Sequence, residues 1–334
     1  MPTIKDVARR ANVSVATVSR ILNNLPGYSQ ETKERVLKAI EELGYYPNAL
    51  ARGLVSKKTN SIGVLFPSVS SMFSAEILGG IEQVAHERDS SVIVCHTAYN
   101  GTRTMKYLGL LREKQIDGVI FVSEVLKEEY YQALSEMDVP VVLVSTKSER
   151  FPLPYVKVDD RSAAYSATSY LIEKGHRRIG MISGNRSDPI AGIPRVEGYQ
   201  AALQDHGIPA CDRHIVYADG FGFDKGLQCL PLLLSRAPEI TAVFAASDEM
   251  AVAALSAANK LGIKVPDELS VMGYDNLRIA EMTVPSLTTV VQPLREMGET
   301  AARMLFGMME EGEAVKSRIM PHRIVERESV KALN

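Results

Sequence analysis

The sequence has few cysteines and no long apolar run. Its three cysteines are widely spaced and form no CxxC pair; they are Cys95, Cys211 and Cys229. This pattern excludes a disulfide framework and indicates a reducing compartment, where thiols act as small hydrophobic side chains. No apolar run approaches the roughly 20 residues that span a bilayer, and no secretory leader opens the chain. We therefore expect a cytoplasmic protein without a membrane partner.

The sequence also lacks the common motifs of catalysis and metal binding. It has no GxxxxGKS/T loop, no GxSxG elbow and no HExxH sequence, and its six histidines form no i, i+4 pair. The stretch GFGFDKG, residues 220–226, imitates a GxGxxG loop, but its third glycine is one position late. We interpret it as a turn that presents Phe221. The sequence therefore predicts no catalytic residue, no metal and no cofactor.

Charge is distributed unevenly along the chain, although the formal net charge is only −2. Residues 1–60 hold ten lysines and arginines against five acidic residues, whereas the remaining residues hold 28 against 35. A basic segment on an acidic body indicates that this segment alone meets a polyanion.

The basic segment predicts three helices, each with one apolar face. The apolar positions of the first helix are Ile4, Val7, Ala8 and Ala11. Ser14 can cap the second helix, and Ser29 can cap a third helix that runs to about Gly44. The predicted buried positions of these two helices are Val15, Val18, Ile21 and Leu22, then Val36, Leu37, Ile40 and Leu43. Two short helices joined by a tight turn and braced by a third form a helix-turn-helix.

The second helix has an outer face of small side chains, which a DNA major groove can accommodate. Its hydroxyl and amide groups can bind phosphates and fix the register of the helix; they are Ser14, Thr17, Ser19 and Asn23. Arg20, with Val15 and Ala16 at the exposed start of the helix, would contact base edges. The alternative is a small helical subdomain that packs on the rest of the chain.

The segments TIKDVARRANVSVATVSRILNN and YSQETKERVLKAIEELGYYPNALARGL resemble the DNA-binding head of the lactose-repressor (LacI) family of bacterial transcription regulators, over residues 3–57. The resemblance implies that five residues contact phosphates: Ser14, Thr17, Asn23, Tyr45 and Asn48. It places Val15, Ala16 and Arg20 at the base-reading positions. The small pair Val15-Ala16 resembles the catabolite-control branch, whose DNA sites are pseudo-palindromes with a central CG step.

The stretch after the third helix has the composition of a conditional helix. Pro47 ends the third helix, and Asn48 can cap a run of about eight residues, 49–56, that includes Gly53. Because so short a helix is marginal in water, we expect it to be disordered in the free protein and to fold against DNA and a dimer partner. The family resemblance implies that Leu54 wedges into the minor groove. The alternative is a plain linker with solvated lysines.

From residue 61 the pattern changes to alternating strands and helices, in two copies that divide after YVKVDD. It predicts two doubly wound parallel sheets, and therefore an α/β body behind an all-α head. We divide the chain into a head (1–46), a hinge with its linker (47–59) and a body (60–334). The first lobe of the body would comprise about 60–158 and 290–318, and the second lobe about 159–289 and 319–334.

The body resembles the family's periplasmic-binding-protein-like effector domain over residues 60–330. Ligands of such sheets bind at the carboxyl ends of the strands, here between the lobes. The resemblance implies seven effector-binding residues: Ser70, Phe73, Asp160, Arg195, Phe221, Asp248 and Asp275. A guanidinium and a carboxylate can grip adjacent hydroxyls, while an aromatic face covers the C–H side of a sugar. Two alternatives stay open: a surface ion pair for Arg195, and a helix cap for Asp248.

The leading hypothesis is a homodimeric regulator, a repressor of carbohydrate genes, that binds a pseudo-palindromic operator and is switched by a sugar or sugar-phosphate effector. In a second hypothesis, a serine-phosphorylated phosphocarrier protein acts as corepressor, as in the catabolite-control branch. The segment QPLREMGETAARMLF resembles the docking helix of that branch and includes Arg303, but Arg295 stands where the branch has an aromatic residue. The third hypothesis is a two-lobed sugar-binding transport protein or an enzyme.

Overall fold

The computed structural model describes residues 2–22, 25–45, 59–312 and 315–333. Within these residues the chain forms two compact units, which divide between Thr59 and Asn60. The first unit is the basic head, and the second is a body of two lobes.

The head consists of three helices, with α1 at Ile4–Ala11, α2 at Val15–Leu22 and α3 at Gln30–Leu43. Seven buried side chains form its core: Val7, Ala8, Ala11, Val18, Ile21, Val36 and Ala39. Partly buried side chains pack against this core, among them Ile4, Leu22, Ile40 and Leu43. The helical spacing of the apolar residues therefore predicts most of the face that each helix buries.

Two positions of the predicted apolar stripes are exposed, and for Val15 this agrees with its other predicted place, at the exposed start of the second helix. Val15 is 40% exposed and Leu37 is 47% exposed. Val15 begins α2, so no preceding turn of that helix covers it. In α3 the buried residues are Val36 and Ala39, and Leu37 is rotated by about 100° from Val36, away from the core.

Hydroxyl side chains cap the helices of the head where the sequence predicts caps. Ser14 Oγ accepts a hydrogen bond from the Thr17 N–H at 3.0 Å, and Ser29 Oγ accepts one from the Thr32 N–H at 3.2 Å. Each bond satisfies an N–H group that the helix itself leaves without a partner, and such a cap contributes about 1 kcal/mol. The caps fix where α2 and α3 begin.

The first lobe of the body is a parallel sheet covered by helices. Its strands are β1 Ser61–Phe66, β2 Ser91–His96, β3 Gly118–Val122, β4 Val141–Val144, β5 Tyr155–Val158 and β11 Arg318–Met320. Their order across the sheet is β11-β5-β4-β3-β1-β2, and every pair is parallel. The helices of this lobe are α4 Met72–Glu87, α5 Thr104–Glu113, α6 Glu128–Glu136 and α13 Leu294–Glu311. The central strands are continuous apolar runs because both faces of the sheet are buried.

The second lobe repeats this architecture. Its strands are β6 Ile179–Ser183, β7 Ile215–Tyr217, β8 Ala242–Ala245, β9 Ser270–Asp275, β10 Thr288–Val291 and β12 Arg323–Val325, in the order β12-β10-β9-β8-β6-β7. Its helices are α7 Asp160–Glu173, α8 Gly192–Asp205, α9 Phe223–Gly226, α10 Cys229–Arg236, α11 Asp248–Lys260 and α12 Ile279–Met282. The edge strand β12 is antiparallel to β10, which differs from the wholly parallel sheet that the sequence predicts.

The chain crosses between the two sheets three times, from β5 to α7, from β10 to α13 and from β11 to β12. The predicted lobe boundaries differ from the strand bounds by two residues. The first sheet extends to Met320 rather than 318, and the second sheet extends to Val291 rather than 289. The pairing of β11 with β5 and of β10 with β9 sets these ends, and the local sequence pattern does not reveal such pairing.

Helices α4 and α13 cross closely because each presents a glycine to the backbone of the other. A Cβ atom at Gly80 would overlap the carbonyl oxygen of Arg295, and one at Gly298 would overlap the carbonyl oxygen of Ile77. Backbone atoms cannot rotate aside as a side chain can. A Cβ atom at Gly307, also on α13, would have nothing within 4 Å.

We therefore expect Gly298→Ala to push α13 away from α4 and to lower the free energy of unfolding by about 1–3 kcal/mol. Gly307→Ala is the matched control, since it adds a methyl group to the same helix without a clash and should stabilise it by about 0.5–1 kcal/mol. Chemical denaturation of both variants measures the difference. The same change in stability for both would contradict the close crossing.

His176 ties the C-terminal segment to the second lobe. Its Nδ1 lies 3.0 Å from Thr241 Oγ1, and its Nε2 lies 3.1 Å from the carbonyl oxygen of Lys331. A neutral imidazole satisfies both contacts, with one ring nitrogen as donor and the other as acceptor. His176 is 1% exposed, and burial lowers the pKa of its ring below the usual value.

The lowered pKa of His176 predicts a loss of stability in acid. Its contribution is complete above the unfolded pKa of about 6.5 and is lost as the pH falls through the lower, folded pKa. Between about pH 7.5 and about pH 5.5, the denaturation midpoint should therefore fall more in the wild-type protein than in His176→Gln, which cannot be protonated. Parallel falls in the two proteins would rule out this role.

Candidate functional site

The outward face of α2 carries the residues predicted to contact DNA. Ser14, Val15, Ala16 and Arg20 are exposed, and Thr17 and Ser19 are half-buried. Ser14 Oγ lies 2.9 Å from Thr17 Oγ1, so two hydroxyls lie together at the N-terminus of the helix. Backbone N–H groups and the helix dipole favour an anion at such a terminus. This arrangement suits contact with a DNA phosphate.

The loop after α2 holds the side chain of Arg20. Its Nη1 donates a hydrogen bond to the carbonyl oxygen of Pro26 at 2.9 Å. Gly27 permits this approach, because a Cβ atom there would lie 2.8 Å from the same nitrogen and its φ of +113° favours glycine. The guanidinium has five N–H donors, so others are available for a base edge.

Tyr45 is half-buried and packs against the core of the head, and its N–H donates to the carbonyl oxygen of Ile40 at 3.0 Å. Its contact with phosphate stays a prediction. Asn23, Asn48 and Leu54 lie outside the described residues, as does the predicted hinge helix. The roles assigned to them also stay predictions.

A cavity of about 590 Å³ lies between the lobes of the body, at the carboxyl ends of the strands. Five of the seven residues predicted to bind an effector line it: Phe73, Asp160, Arg195, Phe221 and Asp275. Phe73 lies in the first turn of α4, in the first lobe, whereas the other four come from the second lobe. Both lobes therefore contribute to one site.

Arg195 is at the centre of a buried ion cluster in the cavity wall. Its Nε and Nη2 donate to Asp160 Oδ1 at 3.0 and 2.8 Å, and its Nη1 donates to the carbonyl oxygen of Ala246 at 2.5 Å. The guanidinium carbon lies 3.8 Å from the ring centroid of Tyr274 and 5.5 Å from that of Phe221. Arg195 is only 6% exposed, so its pair with Asp160 is a buried one rather than the surface pair considered as an alternative.

Asp160 accepts hydrogen bonds from several parts of the body. Lys157 Nζ lies 3.1 Å from Asp160 Oδ2, and the Tyr274 hydroxyl donates to Asp160 Oδ1 at 3.2 Å. Lys157 belongs to β5 of the first lobe, whereas Asp160 begins α7 of the second lobe. The carboxylate therefore joins the two lobes at a point where the chain crosses between them.

Asp275 combines a buried carboxyl group with a strained backbone. Its φ of 119° lies in the left-handed region that non-glycine residues rarely adopt. Gln292 Nε2 donates to Asp275 Oδ1 at 2.7 Å. Burial raises the pKa of Asp275, and the neighbouring Arg195 charge opposes that rise. Strain of this kind persists where surrounding contacts enforce it, and it is common at ligand sites.

Comparison with known proteins identifies the family of the chain. Residues 3–48 match the family described as bacterial regulatory proteins, lacI family, and residues 168–330 match the periplasmic binding protein-like domain. The chain is 40% identical over 331 residues to catabolite control protein A of Priestia megaterium, which covers 98% of this chain and 99% of that protein. The chain belongs to the lacI family of bacterial regulatory proteins. It is a transcriptional regulator.

Solved structures of LacI-family regulators share the fold of this one. A CelR–cellobiose complex is 33% identical, covers 98% of this chain and 100% of that chain, and has a TM-score of 0.75. The lac repressor dimer bound to operator and the anti-inducer ONPF is 27% identical, covers 99% of each chain, and has a TM-score of 0.88. The predicted family, the helix-turn-helix head and the two-lobed α/β body are confirmed.

Asp248 lies outside the cavity wall of this LacI-family regulator, and its predicted role as an effector ligand is corrected. Its Oδ2 accepts the Leu277 N–H at 2.6 Å, and its Oδ1 accepts the Thr289 hydroxyl at 2.5 Å. Asp248 has no exposed surface, and burial raises the pKa of its carboxyl group. It therefore links the loop after β9 to β10. The alternative role as a helix cap belongs to its neighbour Ser247, whose Oγ accepts the Met250 N–H at 3.1 Å.

Ser70 also lies outside the wall. Its Oγ is 3.2 Å from Ser68 Oγ on the exposed loop after β1, and two other serines of this loop, Ser68 and Ser71, line the cavity instead. The prediction therefore identified the correct loop but the wrong serine. Hydroxyl residues follow one another in PSVSSMF, and their spacing does not distinguish which of them faces inward.

The sequence did not predict several residues of the cavity wall: Tyr99, Ser123, Glu124, Lys127, Ser145 and Gln292. A signal was present for three of them, because Ser123, Ser145 and Gln292 directly follow strands of the two sheets, where α/β sheets bind ligands. Tyr99 lies in a short turn of 3₁₀ helix at Tyr99–Gly101, which no periodic pattern indicates.

Neither a metal site nor a membrane span is evident in the described part of the regulator. No group of three or more His, Cys, Asp and Glu side chains there could hold a metal ion. No described helix combines the length and apolar character needed to cross a membrane.

The cluster predicts a large cost for removing one partner. Arg195→Ala would leave the buried Asp160 carboxylate with fewer donors, so we expect the free energy of unfolding to fall by about 3 kcal/mol. Arg112→Ala is the control, since its pair with Glu136 has both side chains more than 60% exposed and should change stability by less than about 0.5 kcal/mol.

A double-mutant cycle tests the pairing directly. The double variant Asp160→Ala/Arg195→Ala should lose clearly less stability than the sum of the two single losses, because neither charge is then left buried alone. Additive losses would mean that the two side chains do not stabilise each other.

Proposed function

We propose that the regulator is a homodimeric repressor of carbohydrate genes and that a sugar-like effector in the cavity between its lobes sets its affinity for operator DNA. The observation that carries this proposal is the cavity itself, in which Arg195, Asp275 and Phe221 meet in a chain that begins with a helix-turn-helix. The cellobiose in the CelR complex and the operator in the lac repressor complex support it by similarity. The regulator would act in the bacterial cytoplasm.

The side chains of the cavity suit a polyhydroxylated ligand. Sugar hydroxyls can donate hydrogen bonds to the carboxyl group of Asp275 and can accept them from the N–H groups of Arg195 that Asp160 and Ala246 leave available. The ring of Phe221 offers an apolar surface to the C–H face of a sugar. These three side chains belong to the second lobe, and Phe73 of the first lobe lines the same cavity, where it could contact the same ligand.

On the DNA side, we propose that α2 enters the major groove with Val15, Ala16 and Arg20 toward the base edges. Ser14 and Thr17 would bind a phosphate at the start of the helix and fix its register. Two heads of a dimer would each contact half of a pseudo-palindromic operator.

An effector would change operator affinity only if it binds one arrangement of the lobes better than the other. Movement of the lobes would change the cavity wall, and with it the affinity for the effector. The lobes are joined at this wall by the three chain crossings and by the contact between Lys157 and Asp160. A differential binding energy of about 1–3 kcal/mol would change operator affinity by about 5- to 150-fold.

A serine-phosphorylated phosphocarrier protein as corepressor is a second candidate, favoured by the similarity to catabolite control protein A. On α13 the side chains of Arg303 and Arg295 are 54% and 57% exposed. Arg303 lies 3.4 Å from Glu87, and Arg295 lies 3.7 Å from Glu299, so a phosphoserine would compete with these carboxylates. Retention of the phosphorylated phosphocarrier, and not of its unphosphorylated form, on immobilised regulator would favour this candidate.

A gel shift with genomic fragments tests the DNA-binding proposal. Binding of a dimer that contacts six or more phosphates should weaken at least about 1,000-fold between about 50 mM and about 200 mM salt. Arg20→Ala should weaken binding to the specific site by about 1–3 kcal/mol and change non-specific binding much less. Arg112→Ala on the body is the control and should bind DNA as the wild type does. Undetectable binding at both salt concentrations would refute the proposal, and equal losses on both DNAs would refute the base-reading role of Arg20.

A further inference from the structure

The first-lobe end of the cavity carries an aromatic side chain that the proposed contacts with Arg195, Asp275 and Phe221 do not use. Tyr99 lines the cavity and is 61% exposed. Large aromatic side chains are usually buried, and an exposed one in a cavity wall indicates a surface for a ligand. Phe221, by contrast, belongs to the second lobe and packs against the core beside Arg195.

The turn that presents Tyr99 is fixed from several sides. The Thr97 N–H donates to the carbonyl oxygen of Phe66 at 2.8 Å, and the Tyr130 hydroxyl donates to that of Gly101 at 3.2 Å. A Cβ atom at Gly101 would overlap both Tyr130 and Glu124, and its φ is +68°, so glycine is required there. A fixed turn spares the ligand the entropic cost of ordering the aromatic ring.

A buried carboxylate lies beside this turn. Glu124 is 8% exposed and lines the cavity, and its two oxygens accept the hydroxyls of Thr97 and Thr104, each at 2.8 Å. A carboxylate has about four acceptor sites, so others are available to hydroxyl donors of a ligand. Lys127 lies next to it in the wall, with its Nζ 5.1 Å from the ring centroid of Tyr130.

The charge of the cavity disfavours an anionic ligand. Six carboxylates and three cationic side chains line the cavity. Arg195 is paired with Asp160, and Lys225 lies 3.7 Å from Asp219. A phosphate group, which carries about two negative charges near pH 7, would therefore meet more carboxylates than cations.

We propose that the effector is an uncharged oligosaccharide, with one ring beside Arg195 and Phe221 and the next ring in a first-lobe subsite formed by Tyr99, Glu124 and Lys127. The cavity volume of about 590 Å³ suits a disaccharide, because pockets that hold drug-sized ligands have volumes of about 300–1,000 Å³ and a single sugar ring would leave much of this one unfilled. This inference rests on the proposed effector function. It adds the number of rings and the absence of a phosphate.

Titration calorimetry on the full-length regulator tests the ligand class. The probes are maltose, cellobiose, lactose, sucrose, melibiose and raffinose, their constituent monosaccharides, and glucose 6-phosphate. At least one oligosaccharide should bind with a Kd about tenfold or more below that of each constituent, a difference of about 1.4 kcal/mol. Glucose 6-phosphate should bind more weakly than glucose. Equal affinity for constituents, preference for the phosphate, or no binding by any probe would each overturn the proposal.

Substitutions locate the second ring. Tyr99→Ala removes an exposed side chain and should weaken binding of the preferred oligosaccharide about tenfold, while binding of its monosaccharide stays within about twofold. Glu124→Gln should show the same selective loss. Met105→Ala, which removes an exposed side chain of α5 that does not line the cavity, is the control and should change neither. Equal losses for both ligands, or no loss, would place the second ring elsewhere.

The same variants separate this inference from the proposed function. In the absence of sugar, Tyr99→Ala and Glu124→Gln should bind DNA as tightly as the wild type in the gel shift. If DNA binding persists but the oligosaccharide preference is absent, the subsite is refuted and the regulator function stands. If neither the wild-type protein nor the variants bind DNA, the proposed function itself is refuted.

Discussion

The buried carboxylate of Asp160 is the constraint on which the cavity depends. It accepts hydrogen bonds from Arg195 and Tyr274, and it lies 3.1 Å from the ammonium of Lys157. These partners come from α8, β9 and β5, so one side chain fixes two elements of the second lobe and one strand of the first. Burial of three charged groups is costly, and the cost is offset only while every partner stays in place. The arrangement of the lobes and the shape of the cavity are therefore coupled.

This coupling leaves specific groups for a ligand. The guanidinium of Arg195 uses three of its five N–H donors within the protein, and its carbon lies 3.8 Å from the ring centroid of Tyr274 and 5.5 Å from that of Phe221. A ligand therefore meets an arginine whose orientation is already set. Because these donors are already ordered, little entropy is lost when a ligand binds. Weak hydrogen bonds from neutral groups such as sugar hydroxyls can then contribute to affinity.

The sequence predicted the fold and much of the site because both follow from short-range patterns. Apolar spacing, the caps Ser14 and Ser29, and the alternation of strands and helices are local properties, and the structure has each of them. The family resemblance placed five residues in the cavity wall. The errors at Asp248 and Ser70 have one cause: both lie one residue from a position that faces the cavity, and side-chain direction at a strand end depends on backbone torsions that the sequence does not display. Tyr99 and Glu124 were not predicted from the sequence, because only long-range packing brings them together.

The position of Gln292 suggests how a ligand at Asp275 could affect the first lobe. Gln292 lies at the crossing between β10 of the second lobe and α13 of the first, and its amide donates to the Asp275 carboxyl at 2.7 Å. Helix α13 in turn packs against α4, whose first turn contributes Phe73 to the opposite wall of the cavity. The strained φ of Asp275 means that this strand end is held by its contacts rather than by its own preference. A hydroxyl that competes for the Asp275 carboxyl would therefore act on a segment that belongs to both lobes.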